Sequence, residues 1–348
     1  MLQKTVLFVL VSMFLTSTLF GMQKHVVILQ YHRFDENKYP TTSISMKLFT
    51  QQMEYLTQHH YNIWPLSKVV RYLQQKKPLP DKTVVISIDD AYRSTYTKAY
   101  PLLKKYHLPF TLFVSTLPVD HGSKNYLTWD MMREMAKNGA EFANHTYSHQ
   151  YLVRDRLKDP QDKQYIVDEI QKSQEKLEKE LGNSVATKPK MLAYPFGEYD
   201  KNLMHITKEL GYVGVAQNSG PISSESDFMA LRRFPMSGGY GEMEQFVVKI
   251  NTLPLPLLSV EDEDTIVDES NNPPLLTLSL QKPLKGFQCF NANGEKLKMQ
   301  WMSDTQVTVQ SSKPLAYPRD HYTCTAPTQN KESWYWYSHL WVVLQKQP

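Results

Sequence analysis

The sequence predicts an α/β fold of parallel βα units followed by a small all-β domain, and three observations predict it. Short apolar, β-branched runs alternate with segments of helical period between residues 25 and 250, the rhythm of strand–helix units whose strands lie parallel. Residues of catalytic type stand just past the ends of several of these runs, and parallel strands deliver their C-terminal ends to one face. Beyond Phe246 the texture changes, and from Leu275 the helical period vanishes and short alternating stretches take over.

The elements follow in order. Residues 1–21 have a secretory signal layout: Lys4, an apolar run from Val6 to Leu15, then Thr16-Ser17-Thr18 up to Gly21. Export to the periplasm, cell envelope or outside is the expectation. An uncleaved anchor is the alternative, and it would hold the protein near a membrane. No cysteine lies nearby to carry a lipid, and no other stretch approaches the roughly 18 apolar residues that span a bilayer.

Residues 25–31 form the first strand, which ends at His32. Ser45 caps a helix with Leu48, Phe49, Met53 and Leu56 on one side. Pro65 opens another, with Val69, Val70 and Leu73 inward. Val84 to Ile88 is a buried strand that runs into Asp89-Asp90. A helix over residues 95–107 follows, kinked or restarted at Pro101. Residues 110–114 are a strand, and the helix over 129–137 ends at Asn138-Gly139. A charged helix over 165–181 keeps an apolar seam of Ile166, Ile170, Leu177 and Leu181, its charges forming a solvated face. Strands at 191–194 and 212–216 flank a helix over 200–210.

Two places carry chemistry. Adjacent carboxylates repel, so Asp89 and Asp90 at the mouth of a strand imply a cation or a proton to place there; two loop aspartates capping the next helix are the alternative. His145 and His149 stand at i, i+4 after a second short strand. On one helical turn their imidazoles would share a face, as metal ligands must. His32, Asp89-Asp90, His145 and Tyr194-Pro195-Phe196-Gly197 each fall at the carboxyl end of a predicted strand, so four separate signals converge on one mouth.

Composition is that of an ordinary globular chain, 41% hydrophobic and 21% charged, and a net charge of +4 is too small to argue for nucleic acid. The expected division is a signal segment at 1–21, a catalytic domain at 22–258, an acidic linker at 259–273 and a β-sandwich-like domain at 274–348. Cys289 and Cys324 both lie in the last of these. In an exported chain they are most simply a disulfide, closing a loop that contributes about 3–4 kcal/mol on the chain-entropy model; free thiols are the alternative. The tract from Trp334 to Trp341 alternates as a strand does, its aromatics serving a sandwich core more simply than a sugar-binding surface.

The combination Ser87-Ile88-Asp89-Asp90, His145-x-x-x-His149 and Tyr194-Pro195-Phe196-Gly197 resembles the polysaccharide deacetylases of carbohydrate esterase family four, the NodB-homology group, in particular their poly-N-acetylglucosamine deacetylase branch. The resemblance spans about residues 25–240. It implies an irregular (β/α) barrel of about seven parallel strands and metal-dependent removal of N-acetyl groups from an N-acetylglucosamine-containing polysaccharide. It implies that Asp90, His145 and His149 hold a divalent metal, zinc being favoured by the ligand set and nickel or cobalt using the same ligands. Asp89 would be the general base, His32 the general acid moved to the first strand, and Tyr194, Pro195 and Phe196 the substrate and oxyanion turn. The sequence departs from the family in Ala91, where glycine is usual, and in lacking the family's arginine, for which Arg232 or Arg233 is the candidate. A non-catalytic glycan-binding or assembly protein on the same scaffold is the rival reading, and an amidohydrolase acting on a small cyclic or acylated amide a third.

Overall fold

A computed structural model describes residues 24–154, 161–261 and 264–344; the signal segment at 1–21 lies outside them. Six strands form a curled parallel sheet: β1 (His25–Tyr31), β2 (Thr83–Ile88), β3 (Phe110–Val114), β4 (Ala140–Asn144), β5 (Lys190–Ala193) and β6 (Tyr212–Val215), neighbours in that order. Their continuous apolar runs are what strands covered on both faces require. Alternate residues part into different clusters. Ile28, Val85, Phe113, Ala143, Met191 and Val213 share one, while Leu29, Ile86, Leu112 and Phe142 join the helices of another.

A short segment closes the sheet. Leu231 pairs with Val215 in parallel, and β7 (Phe234–Pro235) then pairs in parallel with β1, opposite Leu29 and Gln30. The stretch 231–236 thus bridges β6 and β1 as the seventh member of the barrel.

The helices obey their local signals. The Ser45 side chain accepts from the Leu48 N–H at the start of α1 (Met46–Gln58). Pro65 precedes α2 (Leu66–Gln74), which lies across the strands' N-terminal ends, where its Leu66 and Ser67 amides meet Thr111 and Glu141. Pro101 marks a restart: a π-turn at Thr95–Ala99 gives way to α3 (Tyr100–Lys105), whose first turn tolerates a missing N–H. Thr128 and Asp200 cap α4 (Trp129–Ala136) and α6 (Lys201–Glu209), with α5 (Gln161–Leu181) between them. Among the described residues no helix is long and apolar enough to cross a membrane.

The C-terminal part is two sheets around one core. Leu257–Glu261, Leu275–Leu280, Gln306–Gln310 and Lys298–Trp301 make one; Gln288–Phe290, Arg319–Pro327 and Trp334–Val343, with the short Leu253–Pro254 and Ile266–Val267, make the other. The stretch expected as an acidic linker belongs to this module. Leu257–Glu261 is a strand of the first sheet, and Ile266–Val267 pairs with Trp334–Val343 in the second. Prolines and acids hid the signal there, but Val267 is fully buried. Cys289 and Cys324 stand opposite each other on paired strands and are disulfide-bonded.

The aromatic tract of the last strand has two uses. Tyr335, Tyr337 and Trp341 pack in the module core. On the other face, Trp336 meets Phe234 edge-on at 5.3 Å and donates to Ser219 Oγ, while Leu340 and Val342 join barrel residues. That strand therefore fixes the module to the barrel.

Candidate metal centre and active site

Asp89 continues β2 by one residue, its N–H bonded to the Tyr31 carbonyl, and its side chain is fully buried. Arg233 grips both carboxylate oxygens, Nη1 to Oδ1 at 2.7 Å and Nη2 to Oδ2 at 2.8 Å, and Gln30 Nε2 donates to Oδ2 at 2.8 Å. Burial alone would raise this carboxyl; Arg233 first, then His145 and His32, outweigh it and hold it below the usual range. Of the two arginine candidates, only Arg233 reaches Asp89. Arg232 lies over the Tyr337 ring and donates to the Ser338 carbonyl, so it serves the domain interface. Sequence reasoning missed Gln30, although an amide in the apolar run of β1 was a signal of an inward polar partner.

The chain then turns through left-handed backbone at Asp90 (φ 71°) and Ala91 (φ 60°), which swings the Asp90 carboxylate toward the two imidazoles. Its Oδ1 stands 3.2 Å from His145 Nε2 and 3.3 Å from His149 Nε2. One ligand atom from each of Asp90, His145 and His149 lies within 4.8 Å of the others, a set able to hold a metal ion. Two further observations fit a cation. Asp90 Oδ1 and His145 Nε2 are buried without a hydrogen-bond partner, the condition a shared ion relieves. His145 Nδ1 is 2.8 Å from the Ala193 carbonyl, which favours the proton on Nδ1 and leaves Nε2 free to ligate.

The histidines do not share a helical turn as their spacing predicts. Residues 145–149 form an irregular loop with Thr146 at φ 64° and His149 at φ 58°. Asn144 shapes it: its Oδ1 accepts from the Thr146 N–H, and its Nδ2 donates to the Ile170 carbonyl in α5. Glu169 of the same helix accepts from the Ser148 N–H. An i, i+4 pair is compatible with both a helix and this turn, and Asn144 was the residue that distinguished them.

His32 faces the same mouth, with Nε2 3.8 Å from Asp89 Oδ2. Burial lowers its pKa; Asp89 and Asp90 oppose that, while Arg233 and His145 reinforce it, so the imidazole is held below its ordinary value. The carboxylate beside it, Asp89, already answers Arg233.

The residues 194–197 part company. Tyr194 turns its buried ring away from the mouth and donates to the Met229 carbonyl, so it supports the barrel wall. Pro195 starts a 3-10 turn in which Gly197 and Glu198 donate to Tyr194 and Pro195, leaving the Phe196 N–H outside the turn's own bonds. Phe196 adopts φ 59°, sets its ring edge-on to His149 at 4.6 Å and stacks on Tyr151 at 3.8 Å. Gly197 has no substitute, because a Cβ there would lie 2.5 Å from Gln217 Cβ.

The sequence profile described as polysaccharide deacetylase matches residues 76–215, a span holding Asp89, Asp90, His145, His149 and the Phe196 turn but neither His32 nor Arg233. The putative polysaccharide deacetylase YxkH of Bacillus subtilis is 29% identical over 214 residues, 61% of this chain and 71% of that one. The poly-beta-1,6-N-acetyl-D-glucosamine N-deacetylase of Staphylococcus aureus is 30% identical over 177 residues, 49% of this chain; the match spans 59% of that enzyme's length. Among solved structures, the Streptococcus pyogenes deacetylase PplD in complex with acetate superposes with TM-score 0.58 at 27% identity, covering 65% of this chain and 98% of that one. IcaB from Ammonifex degensii shares the fold at TM-score 0.57 and 23% identity, over 66% and 98% of the two chains. The profile falls across the barrel's own carboxylate and histidine loops, so it is in its barrel that the chain is similar to polysaccharide deacetylases.

Proposed function

We propose that the chain hydrolyses N-acetyl groups from an N-acetylglucosamine-containing polysaccharide, using a divalent metal held by Asp90, His145 and His149. The observation that carries this reading is the buried, arginine-held Asp89 beside three ligand atoms within 4.8 Å. The activity named for the Staphylococcus aureus relatives supports the substrate class. The nitrogen, nitrogen, oxygen donor set suits zinc best, with nickel or cobalt able to use it. The disulfide fits an exported location.

When bound, the metal lowers the pKa of a water toward neutrality and polarises the amide carbonyl. Asp89, kept ionised by Arg233, takes the proton that the attacking water must lose. Phe196 offers its N–H to the oxyanion that forms on the acetyl carbonyl. His32 hands a proton to the departing amine. Burial holds the His32 pKa below its ordinary value, so the proton is best supplied within the cycle, and Asp89 at 3.8 Å is the neighbour able to pass it on. Tyr151 and Phe196 supply stacked aromatic surface beside His149, the kind of face on which a sugar ring packs.

A non-catalytic scaffold is disfavoured by the same geometry. A buried ion pair is a poor stability device, so keeping Asp89, Arg233 and Gln30 together without chemistry to perform gains the fold little. Acetate release from N-acetylglucosamine oligomers decides between them: release that a chelator abolishes and zinc restores is expected. Oligomer binding by the zinc-loaded chain with no acetate released would transfer the protein to the glycan-binding class.

A further inference from the structure

Arg319 belongs to the C-terminal module, at the start of the strand Arg319–Pro327, yet its guanidinium reaches the active-site turn. Nη1 donates to the carbonyl of Phe196, and Nε stands 3.5 Å from Glu198 Oε1. Glu198 is itself buried, and its Oε2 accepts from Arg154 Nε at 2.9 Å. Arg154 lies over the Tyr151 ring at 3.9 Å and donates to the hydroxyl of Tyr317, a second module residue. Tyr151 stacks on Phe196, which closes the circuit back to the turn.

Phe196 needs such support. An aromatic residue at φ 59° costs about 1–2 kcal/mol relative to ordinary backbone and persists only where its surroundings over-determine it. The barrel holds the ring, through Tyr151 and His149. The module holds the carbonyl. With ring and carbonyl both fixed, the N–H of the same residue has one direction left to point.

We propose that Arg319 is a positioning residue for deacetylation, through which the C-terminal module sets the Phe196 turn. The proposal rests on the deacetylase reading above. It gives the module a part in turnover rather than in tethering substrate, and it lies outside the stretch that the family profile covers. The strand that carries Arg319 is well placed for the task. It is joined to its neighbour by the Cys289–Cys324 disulfide and paired along Trp334–Val343, whose other face packs on the barrel.

The test uses the full chain loaded with zinc, assayed for acetate release. Arg319→Gln should lower kcat by roughly 10-fold or more with KM and zinc content unchanged, since a misplaced donor is felt in the transition state. Arg319→Lys should recover part of the loss, because an ammonium can meet the Phe196 carbonyl but cannot also fork to Glu198. Val309→Ala, in the module core on the sheet that does not carry Arg319, controls for loosening of the module and should keep wild-type kcat. The proposal falls if Arg319→Gln keeps kcat within twofold, if excess zinc abolishes its defect, or if Val309→Ala lowers kcat as much. Should Arg319→Gln not fold, Arg319→Lys decides: wild-type kcat in that variant overturns the proposal. A wild-type chain that releases no acetate would instead defeat the deacetylase reading itself.

Discussion

Arg233 and Asp89, 144 residues apart in sequence, meet inside the barrel as a bidentate pair with no solvent exposure on either side chain. The guanidinium also donates to the Ala216 carbonyl and to Ser87 Oγ, so the closing segment, β6 and β2 are tied through one side chain.

Removing one partner leaves a buried charge uncompensated. Arg233→Met is expected to cost about 3–5 kcal/mol of stability and to lower turnover sharply. Adding Asp89→Asn should return much of the stability and none of the turnover. Urea unfolding of the two variants checks this; equal stability of Arg233→Met and wild type would mean that the pair carries no such charge.

Asp89→Asn and His32→Ala probe the proton path. Each should reduce kcat by roughly 100-fold or more while metal content, measured on the purified protein, stays near one per chain. Full activity in His32→Ala would make that histidine structural. Loss of metal in Asp89→Asn would make Asp89 a ligand.

Ala91 stands in left-handed backbone at φ 60° and is fully buried. Glycine adopts that conformation without a Cβ penalty, although it also frees the unfolded chain. Ala91→Gly should therefore stabilise by about 0.5–1 kcal/mol with activity unchanged. A drop in melting temperature would show that the methyl packs better than the turn is strained.

His339 is buried against Trp341, and burial, with a smaller push from Arg232, lowers its pKa from 6.5 to about 3. Between those values the unfolded chain binds a proton that the folded chain refuses. Stability contributed by the neutral imidazole is thus complete above pH 6.5 and lost as pH falls toward 3. The His339→Gln variant should show a shallower acid limb, by up to about 1.4 kcal/mol per pH unit. Denaturant unfolding at pH 5 and pH 7 measures it; parallel limbs would place His339 in water.

Much of this was legible from residues. The six long strands announce themselves because a strand covered on both faces has to be apolar along its length, and the polar residues past their ends mark the rim. Asp90, His145 and His149 come together because that rim is common to all of them. What escaped is backbone work. Residues 231–236 pair briefly on both sides, so they carry no periodicity, and two arginines and a proline make them read as loop. The loop at 145–149 owes its path to Asn144 and to positive φ, neither of which the histidine spacing reports. Leu257–Glu261 and Ile266–Val267 are short edge pieces with acids facing out, hence their resemblance to a linker. Gln30 and Tyr151 lacked a motif altogether; only their neighbours in space give them meaning.

The closing segment also ties the barrel's seam to its charge. In chain order both aspartates, His145, His149 and five of the sheet's six long strands precede residue 212, while the counter-charge of Asp89 comes after it, on Arg233. The stretch that carries this guanidinium is the same stretch that pairs with β6 at Leu231 and with β1 at Phe234 and Pro235. One short piece of chain therefore both seals the seam and neutralises the buried carboxylate, so a change that loosens the seam also unpairs Asp89.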